Sequence, residues 1–416
     1  MTAEIISVGD ELLIGQVINT NQAYIAEKLN GVGVFVDRMT TVGDNEADIL
    51  KAFQEALKNH DVVTVTGGLG PTHDDVTRSA VCKFFAADLE MDQEALENVK
   101  RLFGRRNVPV TKVNEDQALV PKGCTVIQNR FGTAPGFLFQ RDGKSFIVMP
   151  GVPFEMKGMM EQFVVPYFAK KVKGSVIKHR TLKATGIGES MLAGQIGDVS
   201  ALFEPDSGTT LAFLPSPMGV RLRITVRGKA AGEAEAQIRL VEERIRAKAG
   251  KYIYGTEDEE LEHVIGKLLT ERKLTLAIAE SCTGGLIADR ITDVPGSSNY
   301  FERSMILYTN ESKMAETGVP AAFLEKFGAV SPEVAEAMAS GVRSKSNADI
   351  GISTTGIAGP SGGSDEKPVG LVWIGYADRR ETIALRFSFG DERRRVKERA
   401  AQAALELLRR KLLKME

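Results

Sequence analysis

Cysteine and histidine are scarce, with three and four residues in a chain of 416. Cys82, Cys124 and Cys282 are scattered and odd in number. That argues against a disulfide framework and for free thiols in a reducing compartment. No HxH, HExxH or Cys–His ligand spacing occurs, which argues against a zinc site. Neither sign of charge is in excess: 53 basic against 55 acidic residues leave a net charge of -2. The chain therefore has no global field for gripping nucleic acid or an acidic membrane. No apolar run approaches the roughly 18 residues of a membrane span. The opening MTAEIISVGDELL has no basic stretch ahead of an apolar core, so a cytoplasmic protein is expected, with neither nucleic acid nor membrane as partner. What remains is an ordinary globular composition, 43% apolar and 26% charged, at a length that favours two or three domains.

The pattern predicts an α/β fold: two wound α/β domains joined by a small α+β module. Residues 1–170 alternate strands and helices. Strands at 3–8, 62–66 and 146–149 each run into a glycine-bearing turn, and helices follow at 21–29, 46–57, from 76, and 154–167. Ligands of open α/β sheets bind beyond the carboxyl ends of the strands. From 171 to 250 the texture changes to strands at 179–185, 209–214 and 220–226 and a charged helix at 233–249. Residues 251–258 read as a linker. The second α/β domain, 259–416, opens on the helical stripe Leu261, Val264, Ile265, Leu268 and Leu269. It continues through strands at 274–279, 348–353, 369–376 and 382–389 to a closing helix at 391–413.

Four motifs of the second domain carry chemistry. Ala279-Glu280-Ser281-Cys282-Thr283-Gly284-Gly285 joins a buried strand to a helix. That turn exposes a serine hydroxyl and lets a ligand approach the backbone. Taken alone, the bland reading is a helix cap. Tyr308-Thr309-Asn310-Glu311-Ser312-Lys313 sits at a second strand-to-helix passage. Serine needs a base, and a lysine serves once burial lowers its pKa. Thr354-Thr355-Gly356-Ile357-Ala358-Gly359-Pro360-Ser361-Gly362-Gly363 is a loop suited to wrapping a nucleotide, or a plain connection. Asp391–Arg395 with Lys397 and Arg399 begins a helix with cations suited to a phosphate, or a solvated face.

Together the four motifs resemble the PncC-type nicotinamide-nucleotide amidohydrolase domain over about 155 residues. The resemblance implies Ser281 as nucleophile, Lys313 as base and Tyr308 as its assistant. The substrate would be nicotinamide mononucleotide, with no cofactor. Thr283, Gly284, Gly285, Gly356 and Gly359 become candidate substrate contacts, with backbone N–H groups near 283–285 holding the oxyanion. A basic residue of the last helix would take the phosphate, and Arg393, Arg394, Lys397 and Arg399 stay open for it. Cys282 is the adjacent rival nucleophile.

In the first domain, Asp10 and Glu11 stand at the first turn. Gly67-Gly68-Leu69-Gly70-Pro71-Thr72-His73-Asp74-Asp75-Val76-Thr77 places glycines before two aspartates at a helix start. Such oxygens suit a hard cation bridging phosphates. The alternative is that Asp75 and Thr77 only cap the helix. These segments, with MPGVPFEM, resemble the amino-terminal domain of the CinA (competence/damage-inducible) family, which is related to molybdopterin-binding domains. The resemblance then extends over the whole chain, with a KH-like module in the middle whose Gly186-Ile187-Gly188-Glu189 is not a GxxG loop. It implies metal-dependent (Mg²⁺ or Co²⁺) hydrolysis of ADP-ribose to AMP and ribose 5-phosphate. Asp10, Glu11, Asp74 and Asp75 would be metal ligands. Gly67, Gly68, Gly70 and Thr77 would lie along the diphosphate. A homodimer is implied too. Two alternatives stay open: an amino-terminal pterin binder, or a non-enzymatic competence scaffold.

Overall fold

The computed structural model describes residues 1–70, 75–105, 108–172 and 176–415. The chain divides into two compact units, one of 1–178 with 225–237 and one of 179–224 with 238–416.

The first unit is built on strands β1 (Thr2–Val8), β2 (Phe35–Val42), β3 (Val62–Thr66), β6 (Thr125–Ile127), β7 (Gly136–Arg141) and β8 (Lys144–Met149), ordered β2-β1-β3-β8-β7-β6. A small ribbon pairs β4 (Leu89–Met91) with β5 (Leu119–Pro121). Strands β1, β3 and β8 are parallel neighbours, while β7 pairs antiparallel with β8. The three expected glycine turns therefore emerge side by side along one sheet edge. Alternation explains the two-sided burial: Ile5 packs with Leu29, Ile147 and Phe168, whereas Ile6 packs with Phe53, Val63 and Phe146. Helices Thr20–Gly31 and Glu46–Asn59 start where Asn19 and Asn45 side chains accept N–H groups of the first turn.

The second unit carries the five-stranded sheet β14-β13-β15-β16-β17: β13 (Leu276–Glu280), β14 (Phe301–Ile306), β15 (Ile350–Gly356), β16 (Leu371–Ala377) and β17 (Thr382–Ser388). Strand β13 lies parallel between β14 and β15, so the segments after Glu280, Ile306 and Gly356 converge. The last helix, Arg393–Leu413, buries Val396, Ala400, Ala404, Leu405 and Leu408 in this domain's main core.

A four-stranded sheet in the order β10-β11-β9-β12 forms the α+β module from β9 (Val176–Ala184), β10 (Thr209–Ser216), β11 (Gly219–Lys229) and β12 (Ile253–Thr256). Here the expected linker at 251–258 is corrected. Residues Ile253–Thr256 are a strand, antiparallel to β9 with Ile253 opposite Ala184 and Thr256 opposite Leu182. Residues 179–224 and 238–250 also share a unit with the carboxyl-terminal domain rather than standing alone. Within that unit a buried ion cluster ties the last helix to the module. Glu406 accepts from Arg409 Nε at 2.7 Å and Nη2 at 2.9 Å, and Arg409 Nη2 donates to the Lys251 carbonyl at 2.6 Å. Among the described residues no helix is long and apolar enough to cross a membrane.

Candidate active sites

Ser281 directly follows β13, and its N–H donates to the Thr354 carbonyl of β15 at 3.0 Å. The next residues must turn sharply into the helix Leu286–Thr292. Gly284 (φ 61°) and Gly285 (φ 93°) adopt the left-handed conformation that this turn requires. Beside it, Leu307 donates its N–H to the Glu280 carbonyl at 2.7 Å. The chain then enters the helix Asn310–Thr317 through a reciprocal Thr309–Ser312 cap. That start sets the phase of the helix and turns Lys313 inward.

Lys313 is 2% exposed. Its Nζ donates to Ser281 Oγ at 3.2 Å and to the Leu307 carbonyl at 2.9 Å. Burial holds its amine below the ordinary lysine pKa, partly offset by Cys282 and Glu311. The pair expected from sequence is thus brought together. Cys282 is buried as well, and burial pushes its thiol up to about 12. A thiol in that state is protonated and unreactive.

Two expectations are corrected. Tyr308 does not reach Lys313: it is exposed, and its hydroxyl accepts from Arg393 Nη2 at 2.7 Å. Two of the expected oxyanion donors are also taken. Gly284 N–H goes to the Ser281 carbonyl and Gly285 N–H to the Glu280 carboxylate. Of the next two residues, Thr283 is fully buried and the Cys282 N–H meets its own thiol. The Thr283 side chain is spent on Thr354, 2.8 Å between hydroxyl oxygens. Gly356 and Gly359 of the third motif pack close against neighbouring chain. A Cβ on Gly356 would sit 2.6 Å from the Leu371 carbonyl oxygen, and one on Gly359 2.9 Å from that of Asp391.

Of the four cations, Lys397 lies against the serine turn and Arg393 bridges the loops that carry Gly359 and Tyr308. Arg393 Nη1 donates to the Gly359 carbonyl at 2.9 Å while Nη2 holds Tyr308. Lys397 Nζ lies 3.4 Å from where a Cβ on Gly284 would be. Arg394 instead pairs with Glu398 at 2.6 Å, and Arg399 donates to the Phe389 carbonyl at 3.3 Å. Neither of those contacts is to the serine turn.

The first domain holds a cleft of about 530 Å³ at the ends of β1, β3 and β8. Gly67, Gly68, Gly70, Glu11 and Asp75 line it. Gly67 is required there, since a Cβ would meet the Val8 carbonyl oxygen at 2.1 Å. Asp10 and Thr77 do not line the cleft, Asp10 although it is exposed. Asp10 Oδ1 accepts the Asp44 N–H at 3.1 Å and Asp44 Oδ2 accepts the Asp10 N–H at 3.0 Å, a clasp between two loops. Thr77 is fully buried, its N–H donating to the Gly68 carbonyl at 3.1 Å. Asp74 lies outside the described residues.

The cleft also contains side chains not singled out from sequence: Asp44, Glu155, Asn21 and Gln117. Burial pushes the Glu155 carboxyl above its ordinary range, against the lowering effect of Asn129. Ser7 Oγ, Asn21 Oδ1 and Gln117 Oε1 are buried with no partner among the described residues. Such atoms are costly unless a ligand or water completes them. Among the described residues no three His, Cys, Asp or Glu side chains gather as a metal cage. Mg²⁺ normally takes one or two carboxylates and completes its shell with phosphate oxygens and water. The Glu11 and Asp75 carboxylates fit that open arrangement.

Three family descriptions match in order along the chain. "Probable molybdopterin binding domain" covers residues 4–170, "Damage-inducible protein CinA KH domain" 179–255, and "CinA C-terminal domain" 258–412. A "Putative competence-damage inducible protein" of Caldicellulosiruptor saccharolyticus is 46% identical over 413 residues, 99% of this chain and 100% of that protein. A "CinA-like protein" of Chloroherpeton thalassium is 47% identical over 98% of this chain and 99% of its own length. Among solved structures, the competence/damage inducible protein CihA from Agrobacterium tumefaciens is 41% identical, covering 36% of this chain and 91% of its own, with a TM-score of 0.35.

Proposed function

The chain belongs to the CinA, or competence/damage-inducible, protein family, and from that premise we propose that it is a bifunctional hydrolase of pyridine-nucleotide recycling. The carboxyl-terminal domain deamidates nicotinamide mononucleotide, and the amino-terminal domain splits ADP-ribose into AMP and ribose 5-phosphate. The observation that carries the first assignment is the buried Lys313 amine 3.2 Å from Ser281 Oγ.

The neutral Lys313 amine takes the Ser281 proton as Oγ bonds to the carboxamide carbon. The carbonyl electron pair moves onto oxygen, where a positioned N–H donor stabilises the charge. As that pair returns, the C–N bond breaks, and the proton held on Lys313 passes to the departing nitrogen as ammonia. Water then adds to the acyl-serine, giving up a proton to Lys313, and nicotinic acid mononucleotide leaves with Ser281 restored. Lys397 and Arg393 bind the substrate phosphate. The full chain with nicotinamide mononucleotide should release ammonia and nicotinic acid mononucleotide in equal amounts, and Ser281→Ala should release neither. Undiminished release by Ser281→Ala refutes the mechanism.

In the first domain the glycine turns let a diphosphate lie against the backbone, and Glu11 and Asp75, both lining the cleft, would hold a divalent cation there. A bound cation would neutralise the diphosphate charge. The relation to molybdopterin-binding domains favours a pterin as the second candidate ligand. Titration of the cleft with ADP-ribose and with a pterin separates the two.

A further inference from the structure

Glu280 is fully buried, one residue before the proposed nucleophile. Its carboxylate crosses the serine turn to the helix that follows. It accepts the N–H of Gly285 at 2.9 Å, of Ile287 at 3.2 Å and of Ala288 at 2.9 Å. Ser304 Oγ on β14 adds a longer contact at 3.4 Å. A buried carboxylate is costly unless its oxygens are bonded, and helix-start N–H groups are well suited to the task.

A helix start is ordinarily capped by a serine, threonine or aspartate within the turn itself. Here the cap is the last residue of the preceding strand, so one side chain fixes the turn from both ends. The main chain of the same residue anchors the base. The Glu280 carbonyl holds the Leu307 N–H at 2.7 Å, and the Leu307 carbonyl holds Lys313 Nζ at 2.9 Å. Both members of the Ser281–Lys313 pair are thus referenced to Glu280. The carboxylate also consumes the Gly285 N–H, which is therefore not free to hold an oxyanion.

We propose that Glu280 is the positioning residue of this site, setting Ser281 Oγ in register with the Lys313 amine; this rests on the reading of Ser281 as nucleophile. It touches no reacting atom. A misplacement near 1 Å costs on the order of a hundredfold in rate. In the full chain, Glu280→Ala should lower kcat for nicotinamide mononucleotide by about that factor while KM moves only a few-fold. Glu280→Gln keeps one acceptor oxygen and should recover part of the loss.

Two readouts make the test independent of folding and of substrate. Hydrogen exchange at Gly285, Ile287 and Ala288 should quicken in Glu280→Gln with the rest of the domain unchanged. Labelling of Ser281 by a fluorophosphonate, read by mass spectrometry, should slow in both variants. Unchanged turnover and labelling, or slowed chemistry with KM raised in proportion, overturns the positioning role. A wild-type chain that releases no ammonia yet labels at Ser281 faster than the variants keeps that role and ends the substrate assignment.

Discussion

Lys313 and Ser281 are 32 residues apart, yet the buried Lys313 amine points at the buried serine hydroxyl across 3.2 Å. Desolvation pulls the lysine pKa down, so the neutral amine is the form the reaction needs. Deamidation should therefore rise with pH as Lys313 loses its proton, through an apparent pKa below that of a solvated lysine. Lys313→Arg, which stays charged, should lose at least about a thousandfold in kcat/KM, within the range general-base catalysis supplies. A kcat/KM profile with the same acid limb in Lys313→Arg would count against this assignment.

Cys282 adjoins the nucleophile and tests the choice between oxygen and sulfur. Its thiol, pushed up to about 12 by burial, is protonated at neutral pH. Cys282→Ala should keep most of the deamidase rate, and iodoacetamide at pH 7 should leave the residue unmodified. Rapid alkylation with matching loss of activity would make sulfur the nucleophile.

Why some of this was legible and some not follows from distance along the chain. Ser281 and Lys313 each stand at a strand-to-helix passage, and turn chemistry marks such places in sequence. Glu280 reads only as a strand end, because its partners lie five to eight residues on and appear only once the turn is formed. Asp44, in a loop, and Glu155, in the helix Pro153–Met159, reach the first cleft from places far apart in sequence, joined by sheet order alone. The strand Ile253–Thr256 passed as a linker because it is four residues long, contains Gly255 and pairs with residues some 70 positions earlier. Among the cations, helical phase was the unused signal. Arg393 and Lys397 are four apart on one face, whereas Arg394 lies one position round and pairs with Glu398.

That phase argument predicts a split between neighbours. Lys397→Met should raise KM for nicotinamide mononucleotide about ten- to a hundredfold, the worth of one charge-assisted hydrogen bond. It should leave turnover of nicotinamide riboside, which lacks the phosphate, almost unchanged. Arg394→Ala should behave as wild type with both. Steady-state kinetics on the two substrates check this, and a larger effect from Arg394 would reverse the assignment.

The two proposed activities should separate under chelation. EDTA should abolish ADP-ribose hydrolysis and leave deamidation intact, since no metal enters the serine reaction as written. Within the first cleft, Glu11→Gln and Asp75→Asn should each weaken the metal requirement curve, seen as a higher concentration of Mg²⁺ or Co²⁺ at half-maximal rate. Asp10→Asn should be milder. Its side-chain oxygen still accepts the Asp44 N–H, so the loop clasp survives the loss of charge.

Stability offers a test that needs no assay of activity. Glu406 is 4% exposed and shares its oxygens among Arg409 Nε at 2.7 Å, Arg409 Nη2 at 2.9 Å and Arg410 Nε at 2.7 Å. Arg409 in turn donates to the Lys251 carbonyl at 2.6 Å. Removing one partner of a buried pair strands the other charge, at about 3–5 kcal/mol. Arg410 still shields Glu406, so Arg409→Met should cost near the low end, about 3 kcal/mol, measured as a lower urea midpoint. The double variant Arg409→Met with Glu406→Leu leaves no stranded carboxylate and should recover most of the loss. A double variant as unstable as the single one would mean that the Lys251 contact, not the ion pair, holds the last helix to the module.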